Sequence, residues 1–226
     1  IYFITNRTEK PVSKWITLAE PTKAVGLFDP MNGRKGMAQY RQNEEGQTEV
    51  WIQAAPFESF IIKALDYRSK EGGFAYAKPV GEPVELTGEW KVKFLEGGPQ
   101  VPQPLQMNKL QSWTEFNGEV GKSFSGTALY TLVFDKPAGH TGDCLLDLGK
   151  VGATAEVKLN GKPIGTLTGP VCTIRIGGDY FEARNKLEIT VANLMANRIA
   201  WMDRNDKPWK IFYNTNMPAR KKENVK

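Results

Sequence analysis

Hydrophobic and polar residues alternate along most of the chain, which is typical of β-strands that pack one face against a core. The clearest case is 155–159 (AEVKL), whose first, third and fifth residues are apolar. The dipeptide Asn160-Gly161 follows directly, and this pair favours a two-residue hairpin turn. The sequence therefore predicts a hairpin whose return strand begins at Lys162.

The same alternation predicts a series of further strands. In the second half of the chain they cover 90–94, 130–134 and 187–191. In the first third they cover 1–5, 14–18, 23–27, 37–41, 49–53 and 59–65. Helical periodicity is nearly absent, and the exception is 194–202, where Asn193 is expected to cap a turn too short to be an independent helix.

Short strands separated by Gly, Pro and Asn predict an all-β protein with two β-sandwich units. Alternation is lost between residues 66 and 81, which places the boundary there. We predict an accessory unit over 1–75, a second sandwich over 80–216 and a basic tail over 217–226. Because the first unit is short for a sandwich and begins abruptly, we expect it to lack strands that a longer parent chain supplies.

Composition narrows the classes of function. The 226 residues are 40% hydrophobic and 24% charged, which is typical of a globular protein, and no apolar run approaches the roughly 20 residues of a membrane span. The net charge is +5, but the basic residues cluster only at 220–222. We therefore expect neither a nucleic-acid partner nor a membrane partner.

One histidine and two cysteines limit the available chemistry. His140 is the only histidine and lies in a turn-rich stretch, so a multi-histidine metal site is excluded and a histidine-based triad would need this residue. Cys144 and Cys172 share the alternation phase of neighbouring apolar residues, which predicts core positions in strands and leaves a disulfide open. No EF-hand-like spacing supports a structural calcium, and we predict no metal and no cofactor.

Motifs of the second unit follow one another in a recognisable order. They lie at 86–90, 123–130, 146–151 and 157–165, and the segment 185–193, leading into 197–199, closes the pattern. This order resembles the sugar-binding jelly-roll domain of family 2 glycoside hydrolases. The resemblance implies that the second unit is a galactose-binding-like jelly roll.

The first unit and the end of the second carry a further resemblance. Segments 2–7 (YFITNR) and 27–33 (LFDPMNG) are similar to the β-rich region that follows the catalytic barrel in bacterial family 106 α-L-rhamnosidases. Segment 196–203 resembles the C-terminal pattern of that family. The resemblance implies the C-terminal region of a rhamnosidase-like enzyme, periplasmic or extracellular in a bacterium, with a carbohydrate ligand and the catalytic barrel of the parent chain as partners.

The segment 193–216 is the main candidate for sugar contact, because it combines aromatic rings with amide, guanidinium and carboxylate groups. A sugar stacks its C–H face on a ring while its hydroxyls form hydrogen bonds. The candidate ligand-binding residues are Asn197, Arg198, Trp201, Asp203 and, outside this segment, Trp113. Two alternatives stay open: Trp201 and Trp209 cover a sandwich edge while Arg198 pairs with Asp203, and Trp113 packs in the core or at an edge.

Catalysis requires more than the sequence offers. Glycoside hydrolysis normally uses two positioned carboxyl groups, and no motif singles out two of the 25 acidic residues. The resembled families carry their catalytic glutamates on a barrel of roughly 250 residues, which does not fit beside two sandwiches. We therefore predict a non-catalytic accessory region. The rivals are an autonomous carbohydrate-binding module with a site around Trp113 or Trp201, and a chain that is itself a hydrolase.

Overall fold

The computed structural model describes residues 1–78, 80–115, 118–139 and 142–209. Within them the strands are β1 (Tyr2–Thr5), β2 (Val12–Thr17), β3 (Ala24–Phe28), β4 (Lys35–Met37), β5 (Tyr40–Gln42), β6 (Thr48–Ala54), β7 (Ser59–Leu65), β8 (Trp90–Gly98), β9 (Leu105–Met107), β10 (Ser125–Asp135), β11 (Cys144–Asp147), β12 (Thr154–Leu159), β13 (Lys162–Thr168), β14 (Thr173–Ile176) and β15 (Arg184–Ala192). The helices are α1 (Gly118–Ser123) and α2 (Ala196–Arg204), with 3₁₀ turns at Trp113–Glu115 and Gly178–Tyr180. Neighbouring strands pair antiparallel, so the predicted all-β fold class is confirmed.

The described residues form two compact units that do not follow chain order. Unit 1 combines 1–86, 137–151 and 163–180, whereas unit 2 combines 87–136, 152–162 and the described residues from 181 onward. The domain bounds 1–75 and 80–216 stay a prediction. His140 and the basic tail over 217–226 lie outside the described residues.

Unit 1 contains two antiparallel sheets with a shared core. One sheet has the strand order β1-β7-β3-β4, and the other has the order β2-β6-β5. Every second residue of β6 is fully buried, as the alternating sequence predicts. The buried side chains of this core are Leu18, Val25, Leu27, Ala38, Val50, Ile52, Ala54, Phe60, Ile62 and Phe74.

The predicted strand 37–41 is two strands in the structure, and they belong to different sheets of unit 1. The backbone N–H of Ala38 donates to the Val25 carbonyl at 2.8 Å, whereas the Gln39 carbonyl accepts from Trp51 N–H at 2.8 Å. The backbone therefore changes partner between two adjacent residues. Residues 37–41 contain no Gly or Pro that would indicate a break. The alternation pattern therefore predicted one continuous strand.

Unit 1 also contains the strand pair of β11 and β14, in which Cys144 begins β11, whereas Cys172 lies one residue before β14 and not in a strand as predicted. Cys144 lies opposite Ile176, whereas the Leu148 N–H bonds to the Cys172 carbonyl, so the two cysteines lie four residues apart along the ladder. At about 3.3 Å per residue this is ~13 Å, too far for a disulfide. Both cysteines are half-buried free thiols, and burial, with a smaller effect of Asp143, raises the pKa of the Cys144 thiol.

Unit 2 is built around β10 and β15. The strands of this unit follow the order β12-β15-β10-β8-β9. Nine consecutive residues of β10 face residues of β15, from Thr127 opposite Ala192 to Asp135 opposite Arg184. Alternate residues of both strands are buried, which gives the sheet one packed face.

Two glycines let β8 and β10 approach closely at a β-bulge. A Cβ atom on Gly126 would lie 2.1 Å from the Glu96 carbonyl oxygen, and one on Gly97 would lie 2.4 Å from the Ser125 carbonyl oxygen. The register shifts between Thr127 and Ala128, immediately beyond this contact. Glycine is therefore required here by space.

The predicted turn at Asn160-Gly161 is confirmed. Both residues have positive φ angles, 52° and 76°, as a type I′ turn requires. The Asn160 side chain also accepts a hydrogen bond from Lys186 N–H at 2.8 Å and donates one to Asn185 Oδ1 at 3.0 Å. The asparagine thus permits the turn and ties it to the start of β15.

The helices differ from the sequence expectation in two respects. Helix α1 had no predicted counterpart, and α2 begins after an N-cap at Met195 that makes no side-chain capping bond. The expectation that Asn193 caps this turn is wrong, because its side chain is used elsewhere: its Oδ1 accepts from Gly126 N–H at 2.8 Å and its Nδ2 donates to the Phe124 carbonyl at 3.3 Å.

Candidate functional site

The structure brings four of the five predicted ligand-binding residues together on α2 of unit 2. Asn197 and Trp201 are one turn apart, which places them on one side of the helix. The guanidinium of Arg198 lies 5.1 Å from the centre of the Trp201 ring, a cation–π arrangement. Asp203 is exposed in the last turn.

The Trp201 indole is positioned by a residue that the sequence analysis did not single out. Its Nε1 donates to Glu119 Oε2 at 3.0 Å, and Glu119 Oε1 pairs with Lys122 Nζ at 2.9 Å within α1. The hydrogen bonds from Lys122 and then from Trp201 lower the pKa of the Glu119 carboxyl. No motif marks Glu119, because its role depends on the packing of α1 beside α2.

Asp203 is engaged by a second indole. Trp209 Nε1 donates to Asp203 Oδ1 at 3.0 Å, and Arg198 lies over Trp201 rather than forming the alternative ion pair with Asp203. Asn197 has no hydrogen-bond partner among the described residues. The Asn197 amide and the N–H groups of Arg198 are therefore among the groups of this helix that are available to a ligand.

Trp113 lies in the core of unit 2. Trp113 is only 6% exposed. Its ring packs against Phe94 and Phe124 at centroid distances of 5.5 and 5.4 Å. Its indole N–H donates to the Tyr130 hydroxyl, and burial raises the pKa of Tyr130. This is the core packing that the sequence left open as the alternative, and it leaves no ring face for a sugar.

A buried ionic cluster at one end of unit 1 also escaped the sequence analysis. Arg34 donates to Asp29 Oδ2 from Nε at 3.3 Å and from Nη2 at 2.9 Å, and the same Nη2 lies 3.2 Å from Glu58 Oε1. The Asp29 side chain is fully buried. Burial, partly offset by a hydrogen bond from Ala55 N–H, raises the pKa of the Glu58 carboxyl.

The cluster holds loops together rather than opening onto a cleft. Asp29 also accepts a hydrogen bond from Met31 N–H, which fixes the turn between β3 and β4. Glu58 Oε2 accepts from Ala55 N–H at 2.7 Å, which fixes the connection from β6 to β7, where Phe57 has a φ of 62°. The resembled segment 27–33 is thus a structural turn.

The described residues contain neither a metal-binding cluster nor a membrane-spanning helix. They contain no group of three or more His, Cys, Asp and Glu side chains arranged to hold a metal ion. None of their helices is long and apolar enough to span a bilayer.

Comparison with two known proteins supports the class of glycoside hydrolase-associated β-domains. A putative β-glucuronidase of Formosa agariphila is 32% identical over 194 residues, which cover 81% of this chain and 16% of that protein. The rhamnosidase from Novosphingobium sp. PP1Y matches with a TM-score of 0.73 and 26% identity over 97% of this chain and 21% of the rhamnosidase. A β-glucuronidase of Bifidobacterium dentium has 23% identity over 47% of this chain and 19% of its own, with a TM-score of only 0.38.

No family model matches the chain. The chain spans 16% of the length of the putative β-glucuronidase and 21% of the length of the rhamnosidase. It is therefore a glycoside hydrolase-associated all-β region that corresponds to a small part of much longer proteins.

Proposed function

We propose that this chain is the non-catalytic accessory and carbohydrate-binding region of a glycoside hydrolase resembling the family 106 α-L-rhamnosidases. The observation that carries the proposal is the rhamnosidase match, which covers 97% of this chain but only 21% of that enzyme. The catalytic groups of the parent enzyme would lie on a barrel outside this chain. The second sandwich would be a galactose-binding-like jelly roll of the family 2 type, and the parent would act in the periplasm or outside a bacterial cell, without a cofactor in this region.

The carboxyl groups of the ionic cluster support the non-catalytic role. Paired carboxyl groups in glycosidases stand roughly 5–9.5 Å apart across a substrate. Asp29 and Glu58 instead share the Arg34 guanidinium, and Asp29 is closed off from solvent. Although the raised pKa of Glu58 is a property of many acid catalysts, burial in a structural ion network explains it here.

Helix α2 is the proposed point of contact with a sugar in the parent enzyme. Arg198 is held by the Trp201 ring and keeps its N–H groups free for sugar hydroxyls, and Asn197 adds an amide next to it. Asp203, whose carboxylate accepts from the Trp209 indole, is the further proposed contact on the same helix. These contacts would add to a site whose reacting groups come from the barrel.

The coding sequence around this chain and a turnover assay test the proposal together. We expect a barrel-encoding region upstream, and we expect the purified chain to leave 4-nitrophenyl α-L-rhamnoside and 4-nitrophenyl β-D-glucuronide intact. A stop codon or a signal peptide immediately before Ile1 would refute the accessory role. Turnover by the chain that disappears when one carboxylate is replaced would refute the non-catalytic role.

An autonomous binding module is the rival, and the free donors of Asn197 and Arg198 favour it. With Trp113 buried, its site would have to lie around Trp201. Isothermal titration of the chain with rhamnosides separates the two: micromolar binding that Trp201→Ala abolishes supports the module. Absence of any α2-dependent binding supports an accessory helix that contacts sugar only within the parent enzyme.

A further inference from the structure

Unit 1 has an open cavity of about 650 Å³ at the end of the sandwich opposite the ionic cluster. Its lining comes from three chain segments: the start of β3, strand β5 and the residues after β7. The side chains that matter are Lys23, Tyr40, Gln42, Asp66, Tyr67 and Arg68. The volume is in the range of roughly 300–1,000 Å³ that is typical of ligand sites.

The wall of the cavity is rigidly built. The Thr22 hydroxyl bridges the ends of two strands, because it donates to the Leu65 carbonyl at 2.6 Å and accepts from Leu65 N–H at 2.9 Å. The backbone N–H of Lys23 adds a bond to the same carbonyl at 2.8 Å. The Tyr40 hydroxyl then donates to the Lys23 carbonyl at 2.7 Å, which fixes its ring in the wall. A ligand would meet a preorganised surface.

The polar groups in the cavity are uncommitted. The side chains of Lys23, Gln42, Asp66 and Arg68 make no hydrogen bond or ion pair among the described residues. The two tyrosines are 42% and 56% exposed, so their rings face solvent. Exposed aromatic rings with free donors and acceptors are the combination that binds a saccharide through stacking and hydrogen bonds.

The charges favour an anionic ligand. Lys23 and Arg68 supply two positive charges against one negative charge from Asp66. A guanidinium binds a carboxylate or a sulfate with two parallel hydrogen bonds, whereas a neutral sugar cannot use it in that way.

A second cavity of about 290 Å³ extends the first. Gln42 lines both, and the second continues along Arg41, Asn43, Glu44 and Glu49. Arg41 is held there by Glu49 at 2.6 Å and by the Trp15 ring at 4.4 Å. This second cavity carries two carboxylates against one guanidinium, so the excess positive charge lies in the first cavity and the proposed site is confined to it.

We propose that this groove of unit 1, centred on Tyr40 and Tyr67, binds an anionic oligosaccharide. The site lies in the unit that sequence reasoning treated as an accessory, and it shares no residue with the α2 contacts of the proposed function. It would hold a charged glycan chain through residues that take no part in the α2 contacts. Binding at the two places can therefore be separated by variants.

Titration of the whole chain with three tetrasaccharides tests the proposal: tetragalacturonate for a carboxylate, a κ-carrageenan tetrasaccharide for a sulfate, and cellotetraose as the neutral control. We expect one anionic probe to bind at least about tenfold more tightly than cellotetraose, and salt to weaken that binding. Which anionic probe binds identifies the charged group. Equal binding of all three probes, or binding of none, overturns the proposal.

Variants locate the site. Tyr67→Ala should weaken binding of the preferred probe by about tenfold or more, while Tyr67→Phe, which keeps the ring, should lose little. Arg68→Gln should remove the preference for the anionic probe. The matched control is Phe3→Ala, because Phe3 is an aromatic side chain of unit 1 that is 68% exposed away from the groove. Unchanged binding in Tyr67→Ala, or a loss in Phe3→Ala or Arg198→Ala equal to that in Tyr67→Ala, overturns the assignment.

Discussion

Trp113 and Trp201 show how one residue type takes opposite roles in unit 2. Trp113 stands between Ser112 and Thr114 and Trp201 between Ala200 and Met202, and both donate an indole hydrogen bond in the structure. Trp113 reaches a buried tyrosine hydroxyl, whereas Trp201 reaches a solvent-exposed carboxylate. Sequence pattern identified both as stacking candidates because it reports residue chemistry and not the depth at which the ring lies.

Replacing Trp113 should therefore cost far more stability than replacing Trp201. We expect Trp113→Ala to lower the free energy of unfolding by about 3–5 kcal/mol, as removal of a buried aromatic side chain does. Trp201→Ala should cost about 1 kcal/mol. Urea unfolding followed by circular dichroism measures both, and similar losses in the two variants would contradict the assigned environments.

The Glu58 carboxyl should give unit 1 a distinctive pH dependence. Its pKa in the folded chain is raised above its ordinary value of 4.5, mainly by burial, so the folded state binds this proton more tightly than the unfolded chain does. Glu58 therefore stabilises the folded state fully at pH values below its ordinary pKa of 4.5. This stabilisation is lost as the pH rises through the raised pKa of the folded chain. The free energy of unfolding of the wild type, relative to Glu58→Gln, should thus fall with rising pH.

Urea unfolding of the wild type and Glu58→Gln between about pH 4 and pH 8 measures this difference. Glu9→Gln, which removes an exposed carboxylate from the same unit, is the matched control. The role of burial would be contradicted if the free energy of unfolding of the wild type, minus that of Glu58→Gln, stayed constant or increased with pH.

At the scale of elements, sequence alternation predicted most strands but not where they change sheets. Strand β7 has the predicted bounds, and the Asn160-Gly161 turn is where its chemistry placed it. The division between β4 and β5 was missed because a crossing between sheets can leave the alternation phase intact. The predicted cap at Asn193 does not form because β10 competes for the same amide, a contact made over about seventy residues of sequence.

The bulge between β8 and β10 predicts a glycine that cannot be replaced. In Gly126→Ala the new Cβ would meet backbone atoms of Glu96 and Gly97, at 2.1 and 2.6 Å, so a strand must move. We expect a loss of about 1–3 kcal/mol or more in the free energy of unfolding. Gly72→Ala is the control, because a Cβ there meets nothing within 4 Å. Thermal unfolding measures both, and an unperturbed Gly126→Ala would refute the close approach.

At the scale of the whole molecule, the sequence predicted the class of protein but not where all of its candidate sites lie. The resemblance pointed to α2, whose residues are close in sequence. The tyrosine groove is assembled from segments around residues 23, 40 and 67, and no spacing rule connects them. Likewise Asp29, Arg34 and Glu58 meet only because two loops lie at the same end of a sandwich.

The two units should respond differently to loss of the C-terminal strand. β15 pairs with both β10 and β12, so a chain that ends at residue 183 removes the central partner of the unit 2 sheet. The buried cluster shared by the two sheets of unit 1 lies within 18–74. Hydrogen exchange should show β6 and β7 still protected in the shortened chain and β10 and β12 unprotected. Persistent protection of β10, or its loss in β6, would contradict this division.

The same separation of core residues along the chain sets an order of events during synthesis. Every side chain of the buried cluster within 18–74 has been incorporated once residue 74 is made, whereas the ladder between β10 and β15 waits for residue 192. At about 5–20 residues per second, that interval is roughly 6–24 s. During it, the nascent protein contains every residue of this cluster, but strand β10 of the unit 2 sheet still lacks its partner β15. That interval is when a chaperone, or an aggregating neighbour, would meet this protein.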